Sequence, residues 1–296
     1  MIEVTAPTVE LRALTWGPDD GPMALCLHGF PDTAHGWRAL APHLVDAGYR
    51  VVAPFMRGYA PSSVPADGAA NIEAVMDDAL RVRAALGPSD RDVLIGHDWG
   101  ALAASGIAAL PDKPFAKVVV MSVPPPAAFN PFGRVRDRGR LLARLPAQLL
   151  RSSYMFYFQL PWLPEHSARW VVPLLWRRWS PGYDASTDIA HVRDALGDPA
   201  NWRAALATYR ATIRDTTPLP RYRHLHRSWI SDPIVPVLYL HGADDGCMTA
   251  DFTRWVSPIL PTGSRAAIVE GAGHFLALEQ PEAVGSRILE FIGPVN

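Results

Sequence analysis

Short apolar runs alternate with helix-patterned stretches along this chain, and the alternation leaves few folds open to it. Six runs, each bounded by turn residues, have the length and composition of buried strands. They cover residues 23–27, 50–54, 93–95, 118–121, 235–240 and 266–269. Helix-patterned stretches lie at 36–47, 71–86, 101–110 and 281–292. Strands that alternate with helices form crossover units, so the sequence predicts an α/β fold with a mostly parallel central sheet flanked by helices. Residues 9–16 are expected to add an antiparallel strand.

The alternation is interrupted once, between the three prolines at 124–126 and the Asp-Pro pair at 232–233. The intervening stretch holds six of the ten tryptophans, and its predicted helices carry apolar residues on more than one face. Helices of this kind are expected to cover a cavity. We therefore expect an α/β core formed by residues 1–125 and 233–296, with an inserted helical lid formed by residues 126–232.

Composition excludes several other classes of protein. Hydrophobic residues make up 49% of the chain and charged residues 19%, which is a globular composition. The two cysteines, Cys26 and Cys247, cannot form a disulfide framework and lack zinc-ligand neighbours, so we expect no metal and no cofactor. The amino terminus lacks a signal-peptide pattern and no segment is long enough to cross a bilayer. We therefore expect a cytoplasmic protein without a membrane partner.

Charge is distributed unevenly along the chain. The net charge is −1, but residues 126–232 contain sixteen arginines, eight acidic residues and no lysine, so this region has +8 and the remainder −9. Nucleic-acid binding is one interpretation of such a region. The arginines are interleaved with tryptophans, however, and no nucleic-acid-binding motif accompanies them. We therefore expect a solvated basic face and no nucleic-acid partner.

The segment Gly96-His97-Asp98-Trp99-Gly100 follows a predicted strand and precedes an alanine-rich predicted helix. This is the context of a nucleophile elbow, a sharp turn that exposes one side chain at the end of the sheet. Most proteins of this architecture have serine there. A carboxylate instead attacks an sp³ carbon and forms an alkyl ester, which water must then hydrolyse. A helix-capping role for Asp98 is the alternative, and the full context favours catalysis.

Other segments supply the groups that this chemistry needs. The His-Gly-Phe-Pro-Asp motif at 28–32 follows a strand, where the architecture places an oxyanion donor. Phe30 and Trp99 are therefore expected to offer backbone N–H groups to the ester carbonyl. His274, after the last strand, is the expected base that activates water. Asp245, after the preceding strand, is expected to hold His274 in the required tautomer.

The motifs HGFPD, RGY at 57–59, GHDWG and GHF, in this order, resemble those of the α/β-hydrolase-type epoxide hydrolases. The resemblance covers the whole core and implies hydrolysis of an epoxide to a vicinal diol, with water as co-substrate, in detoxification. In that family two lid tyrosines donate hydrogen bonds to the epoxide oxygen; Tyr157 matches the first and Tyr209 resembles the second. A phenol suits this role because it donates to an alkoxide without being ionised at neutral pH. Competing candidates are Tyr154, Tyr183 and Tyr222.

Three alternatives stay open. A haloalkane dehalogenase also uses an aspartate nucleophile and resembles this chain at Trp99, which can hold a halide, but Phe30 argues against it. A haloacetate dehalogenase often has the HGFP motif but tends to have arginine where this chain has Trp99. A non-catalytic ligand-binding protein of the same fold is the third, and the set Asp98, Asp245 and His274 argues against it. The tryptophan-rich lid favours a hydrophobic epoxide as substrate.

Overall fold

An eight-stranded sheet lies at the centre of the molecule. The computed structural model describes residues 1–129, 138–214 and 217–295. The strands are β1 (Ile2–Ala6), β2 (Val9–Trp16), β3 (Met23–Leu27), β4 (Arg50–Pro54), β5 (Val93–His97), β6 (Lys117–Met121), β7 (Val237–Gly242) and β8 (Arg265–Val269). Their order in the sheet is β1-β2-β4-β3-β5-β6-β7-β8. The pairs β1–β2 and β2–β4 are antiparallel and the other five are parallel. The predicted α/β fold, including its antiparallel strand, is confirmed.

Helices connect the parallel strands and flank the sheet. In the described residues they are α1 (Ala41–Asp46), α2 (Ile72–Ala85), α3 (Trp99–Ala108), α4 (Arg138–Arg151), α5 (Ser153–Tyr157), α6 (Ala168–Trp179), α7 (Ser186–Leu196), α8 (Pro199–Arg214), α9 (Thr253–Val256), α10 (Leu276–Glu279) and α11 (Pro281–Ile292). The single helix expected over 36–47 is divided into a 3-10 turn, Ala34–Trp37, and α1. Pro42 explains the division, because proline is favoured in the first turn of a helix and disrupts hydrogen bonding in the interior.

The central strands explain where a site can form. Every residue of β3, β5 and β7 is buried, as expected for parallel strands covered on both faces. Polar groups at this depth are therefore placed at the strand ends. Because β3, β5, β7 and β8 are parallel, the loops that follow them meet at one edge of the sheet.

The described residues between β6 and β7 contain helices α4 to α8 and several 3-10 turns, and no strand. This inserted segment occupies the position where the sequence led us to expect a lid, whose residues 130–137 and 215–216 lie outside the described residues. None of the described helices combines the length and the apolar character needed to cross a membrane.

Candidate active site

Asp98 lies between β5 and α3 in a strained backbone conformation. Its φ is 52° and its ψ is −114°, a region that residues with a side chain rarely adopt. The turn is so tight that a Cβ at Gly96 would collide with the carbonyl oxygen of Gly100, and one at Gly100 with that of Leu27. The Asp98 carboxylate is thereby held at the amino terminus of α3, where the helix dipole favours negative charge.

The two oxygens of the buried Asp98 carboxylate have different partners. Oδ1 accepts a hydrogen bond from the backbone N–H of Phe30 at 2.8 Å, and Oδ2 lies 3.6 Å from Nε2 of His274. Burial acts to raise the pKa of Asp98, but the positive charge of His274 and the Phe30 N–H outweigh it and lower the pKa. Asp98 is therefore ionised at neutral pH. Trp99 is the first residue of α3, where backbone N–H groups lack intrahelical acceptors.

His274 and Asp245 form a buried pair. Nδ1 of His274 lies 2.9 Å from Oδ2 of Asp245. Oδ1 of Asp245 accepts hydrogen bonds from the backbone N–H groups of Cys247 at 2.6 Å and Met248 at 3.0 Å. Burial acts to lower the pKa of His274, but the charges of Asp245 and Asp98 outweigh it and raise the pKa to about 10. The structure thus brings Asp98, Asp245 and His274 together, with His274 protonated when Asp98 is ionised.

Two further groups, the buried His241 and the partly buried Glu279, hold this pair, and the sequence pattern does not single them out. Nε2 of His241 lies 3.4 Å from Oδ2 of Asp245, and burial lowers the pKa of His241, so it is neutral. Glu279 accepts hydrogen bonds from the backbone N–H groups on either side of His274, at 2.8 and 3.0 Å. Only proximity in sequence could have pointed to these two residues, since His241 lies four residues before Asp245 and Glu279 lies five residues after His274.

Tyr209 reaches the site from α8. The centroid of its ring lies 4.8 Å from that of Trp99 and 5.2 Å from that of Phe30, and the side chain is almost fully buried. Its hydroxyl has no hydrogen-bond partner among the described residues. Burial and the charge of Asp98 raise the pKa of Tyr209 well above its ordinary value, so the phenol keeps its proton. A buried donor without a partner is available to a bound molecule.

Tyr157, the other predicted donor, does not lie with this group. Its hydroxyl donates to the carbonyl oxygen of Leu163 in an exposed hydrogen bond of 3.4 Å. Because α5 ends at Tyr157, this side chain lies against the turn that follows the helix. Two of the competing candidates, Tyr183 and Tyr222, each donate to a carboxylate at 2.9 Å. These contacts therefore do not bring Tyr157, the predicted first phenol, to the group around Asp98.

Tyr154, in the first turn of α5, is the tyrosine that lies with Tyr209. Their ring centroids are 5.7 Å apart, and the Tyr154 ring lies 5.0 Å from that of Trp179. The hydroxyl of Tyr154 lies 3.6 Å from Sγ of Cys247. Burial raises the pKa of Tyr154 well above its ordinary value, and nearby negative charge, including that of Asp98, adds to the effect. Tyr154 and Tyr209 are thus two protonated phenols near one carboxylate.

Aromatic rings enclose the same region. The centroid of the Phe30 ring lies 5.5 Å from that of Phe158 and 5.7 Å from that of Trp202, with Tyr209 in contact as well. The indole N–H of Trp99 is buried and has no hydrogen-bond partner within the described part of the chain. The surroundings of Asp98 are therefore apolar, with a few unpaired donors.

Three possible metal-ligand atoms, from Asp245, Cys247 and His274, lie within 4.8 Å of one another. A metal would require a thiolate and a neutral imidazole at this position. Burial raises the pKa of Cys247 well above its ordinary value, and the pKa of His274 is raised to about 10. Both groups keep their protons at neutral pH, so a metal ion would have to displace these protons to bind here.

Comparisons with known proteins agree with this architecture. The family model described as the α/β hydrolase fold matches residues 24–281. Epoxide hydrolase A of Mycobacterium tuberculosis is 30% identical, over 96% of this chain and 94% of its own length. The AB hydrolase superfamily protein YfhM of Bacillus subtilis is 28% identical, over 96% of this chain and 94% of its own. The crystal structure of epoxide hydrolase A from Mycobacterium thermoresistibile is 26% identical, with a TM-score of 0.72 and 99% of each chain covered. The chain therefore belongs to the α/β-hydrolase fold family, in a group that includes proteins named epoxide hydrolases.

Proposed function

We propose that this protein is an epoxide hydrolase, which converts a hydrophobic epoxide and water to a vicinal diol through an alkyl ester on Asp98. The observation that carries the proposal is the convergence of an ionised carboxylate, a histidine 3.6 Å from it, the buried phenol of Tyr209 and the partly buried phenol of Tyr154. Relatives that match nearly the whole chain are named epoxide hydrolases, which supports the same reaction.

Ester formation needs a nucleophile and a proton donor. Oδ2 of Asp98 attacks a carbon of the epoxide ring, the bond between that carbon and the ring oxygen breaks, and the leaving oxygen takes a proton from a phenol. Oδ1, to which the Phe30 N–H donates at 2.8 Å, becomes the carbonyl oxygen of the ester. The raised pKa values of Tyr154 and Tyr209 keep both phenols protonated until an alkoxide forms beside them.

Ester hydrolysis needs a base, and ester formation creates one. Once Asp98 is a neutral ester, His274 has lost one of the two carboxylates that hold its proton, so its pKa falls. The proton that it releases replaces the one given up by the phenol. Neutral His274 then takes a proton from water, and the resulting hydroxide attacks the ester carbonyl carbon.

We propose that the backbone N–H groups of Phe30 and Trp99 stabilise the oxyanion that forms at the ester carbonyl, as the Phe30 N–H bond to Oδ1 supports. Each such donor contributes about 3 kcal/mol to the transition state. Collapse of the tetrahedral intermediate breaks the bond to the alkyl oxygen, which takes the proton from the added hydroxyl and leaves as the diol. Asp98 is restored as a carboxylate that contains one oxygen from water, and His274 is again protonated.

We infer that helices α4 to α8, within residues 126–232, form a lid over the core of residues 1–125 and 233–296. This segment contributes Tyr154 and Tyr209, whereas the core contributes Asp98, Asp245 and His274. Phe158 and Trp202, from the same segment, pack against Phe30 of the core. Such an apolar, aromatic enclosure favours an aromatic or aliphatic epoxide over a charged one.

A single turnover in water enriched in heavy oxygen tests the ester mechanism. The first diol should contain no label, because its new oxygen comes from Asp98, and label should appear only in later turnovers. Labelled diol in the first turnover would refute the covalent scheme. His274→Gln should accumulate an adduct on the peptide that contains Asp98, detected by mass spectrometry. Asp98→Ala should neither turn over nor form an adduct, while circular dichroism shows an unchanged fold.

Dehalogenation by the same nucleophile is the second candidate. The buried indole N–H of Trp99, which has no hydrogen-bond partner in the described residues, is a suitable donor to a halide leaving group. The two phenols favour the epoxide, because a halide leaves without being protonated. Halide release from 1-bromobutane, compared with diol formation from styrene oxide, separates the two reactions.

A further inference from the structure

Helix α4 exposes an apolar face to solvent. Its sequence places leucines three or four residues apart, on one side of the helix. Their exposed fractions are high: 61% for Leu142, 39% for Leu145, 56% for Leu149 and 70% for Leu150. An amphipathic helix at the surface of a globular protein ordinarily turns such residues towards the core. The leucines of α4 therefore face solvent, where such residues ordinarily face the core.

The polar side of α4 is the side that contacts the core. Arg144 forms an ion pair with Asp251 at 3.0 Å. Gln148 donates to the carbonyl oxygen of Cys247 at 2.9 Å, and Arg151 donates to that of Asp245 at 2.7 Å. These contacts fix the rotation of the helix, because they bind its polar residues to the loop that follows β7. As a consequence the leucines face solvent. Their exposure results from specific contacts on the opposite side of the helix.

The apolar face continues from α4 onto α6. Arg178, near the end of α6, donates to the carbonyl oxygen of Leu150 at 3.2 Å, so a hydrogen bond joins the carboxyl-terminal ends of the two helices. One and two helical turns before Arg178, on the same face of α6, are Leu174 and Trp170, with exposed fractions of 49% and 60%. We call Leu142, Leu145, Leu149, Leu150, Trp170 and Leu174 the outer leucine face. Six large apolar side chains exposed on two helices joined at their ends are more than the single apolar residues scattered over an ordinary surface.

Positive charge borders the outer leucine face. Arg177 and Arg178 are exposed on α6, and the guanidinium of Arg169 lies 3.9 Å from the centroid of the Trp170 ring. Residues 126–232 as a whole have a net charge of +8, against −9 for the rest of the chain. A second copy of the chain bound face to face would bring these arginines against one another. A partner with negative charge and an apolar interior is complementary to both properties.

We propose that the outer leucine face binds the surface of an anionic lipid bilayer. Leucines that enter the acyl boundary, a tryptophan at the interface and arginines that meet lipid phosphates are the chemistry of a helix that lies in the plane of a membrane. With 14 residues, α4 is about 21 Å long, too short to cross a hydrocarbon core of roughly 30 Å. Surface binding is therefore compatible with the finding that no described helix can span a membrane. The prediction of no membrane partner rested on the lack of a segment long enough to cross a bilayer, and a helix that binds the bilayer surface does not need that length.

Vesicle sedimentation tests this proposal without any substrate, so its outcome does not depend on the reaction. The wild-type chain should bind vesicles of phosphatidylcholine with about one third phosphatidylglycerol, and should bind pure phosphatidylcholine at least about tenfold more weakly. The combined change Leu142→Gln, Leu145→Gln and Leu149→Gln should reduce binding to the anionic vesicles at least about tenfold. Val64→Gln is the control. Val64 is also exposed, at 41%, but it belongs to the segment 1–125 and not to helices α4 or α6, so this variant should bind vesicles as the wild type does.

Several results would overturn the proposal. One is the absence of vesicle binding by the wild type, and another is equal binding by the leucine variant, which would indicate adsorption by charge alone. A dimer that depends on the three leucines, seen by sedimentation velocity in place of vesicle binding, would assign the face to a second copy. Circular dichroism and hydrolysis of a water-soluble epoxide establish that the variant is folded, since none of the three leucines contacts Asp98 or His274.

Discussion

Replacing Asp98 with asparagine should change His274 from a protonated group into a base at neutral pH. In the wild type, burial acts to lower the pKa of His274, while Asp245 at 2.9 Å and Asp98 at 3.6 Å raise it to about 10. Asp98→Asn removes one of these charges and keeps nearly the same shape. The variant therefore has the charge that the site would have after Asp98 became an alkyl ester.

The size of the effect follows from the distance between the two groups. Two unit charges 3.6 Å apart interact by roughly 4–5 kcal/mol at an effective dielectric constant of about 20. Since about 1.4 kcal/mol corresponds to 1 in pKa, the loss of the Asp98 charge should lower the pKa of His274 by about 3. The pKa should then be near 7, because the charge of Asp245 remains. At that value the imidazole is partly neutral at pH 7 and is able to accept a proton from water.

Nitrogen and proton NMR of histidine side chains, followed through neutral and alkaline pH, measures this pKa directly. The His274 signals are identified by their loss in His274→Gln. Asp244→Asn is the control, because Asp244 is an exposed neighbour of Asp245 and its removal should leave the pKa of His274 unchanged. A fall of less than about 1 in Asp98→Asn would refute the reasoning, since the Asp98 charge would then contribute little to the pKa of His274.

Stability should report the same shift. The pKa of His274 in the folded wild type is above its unfolded value of about 6.5, so its contribution to the free energy of unfolding is complete below that pH. The contribution is lost as pH rises from there through the folded value of about 10. In Asp98→Asn this alkaline loss should be much smaller, which urea unfolding at pH values between these limits will show.

Three further outcomes follow from the contacts at the site. Tyr154→Phe and Tyr209→Phe should each slow formation of the enzyme ester at least about tenfold, whereas Tyr157→Phe should form it at nearly the wild-type rate. Rapid-quench mass spectrometry measures these rates. Equal rates for Tyr154→Phe and Tyr157→Phe would contradict the assignment of Tyr154 as a proton donor. His241→Gln should slow hydrolysis of the ester and leave its formation unchanged, so that ester accumulates in the steady state; a variant that slows only ester formation would count against this role. Glu279→Ala should lower the free energy of unfolding by about 1–3 kcal/mol, measured in urea, because two backbone N–H groups lose a partly buried carboxylate acceptor.

The sequence predicts the fold and the elbow well because both depend on local features. The buried strands appear as continuous apolar runs, and the tight turn around Asp98 requires glycine at positions 96 and 100. The loops after parallel strands meet at one edge of the sheet in any such fold. The sequence could therefore identify Asp98, Asp245 and His274 as candidates without any distance between them being known.

The choice between Tyr154 and Tyr157 depends on contacts that the sequence does not contain. The two tyrosines are three residues apart in a short aromatic segment, and either one matches the requirement for a phenol in the inserted region. Their environments differ because α5 ends at Tyr157, which then contacts the following turn, while Tyr154 packs against Tyr209 of another helix. A sequence motif locates such a pair of candidates, and the contacts at the end of the helix favour Tyr154, as proposed above.

Helix α4 shows a second kind of information that the sequence lacks. Its periodicity predicts that one side of the helix is apolar and the other basic, and the ordinary inference is that the apolar side faces the protein. The neighbouring loop, however, presents the carboxylate of Asp251 and the carbonyl oxygens of Asp245 and Cys247. These oxygens accept hydrogen bonds from arginine and glutamine. They are not an apolar surface on which leucine can pack. The arginines expected to form a solvated basic face are in part used there to bind the core. Periodicity therefore predicts that two faces of a helix differ, but the chemistry of the surface beneath it decides which face is left for solvent or for a membrane.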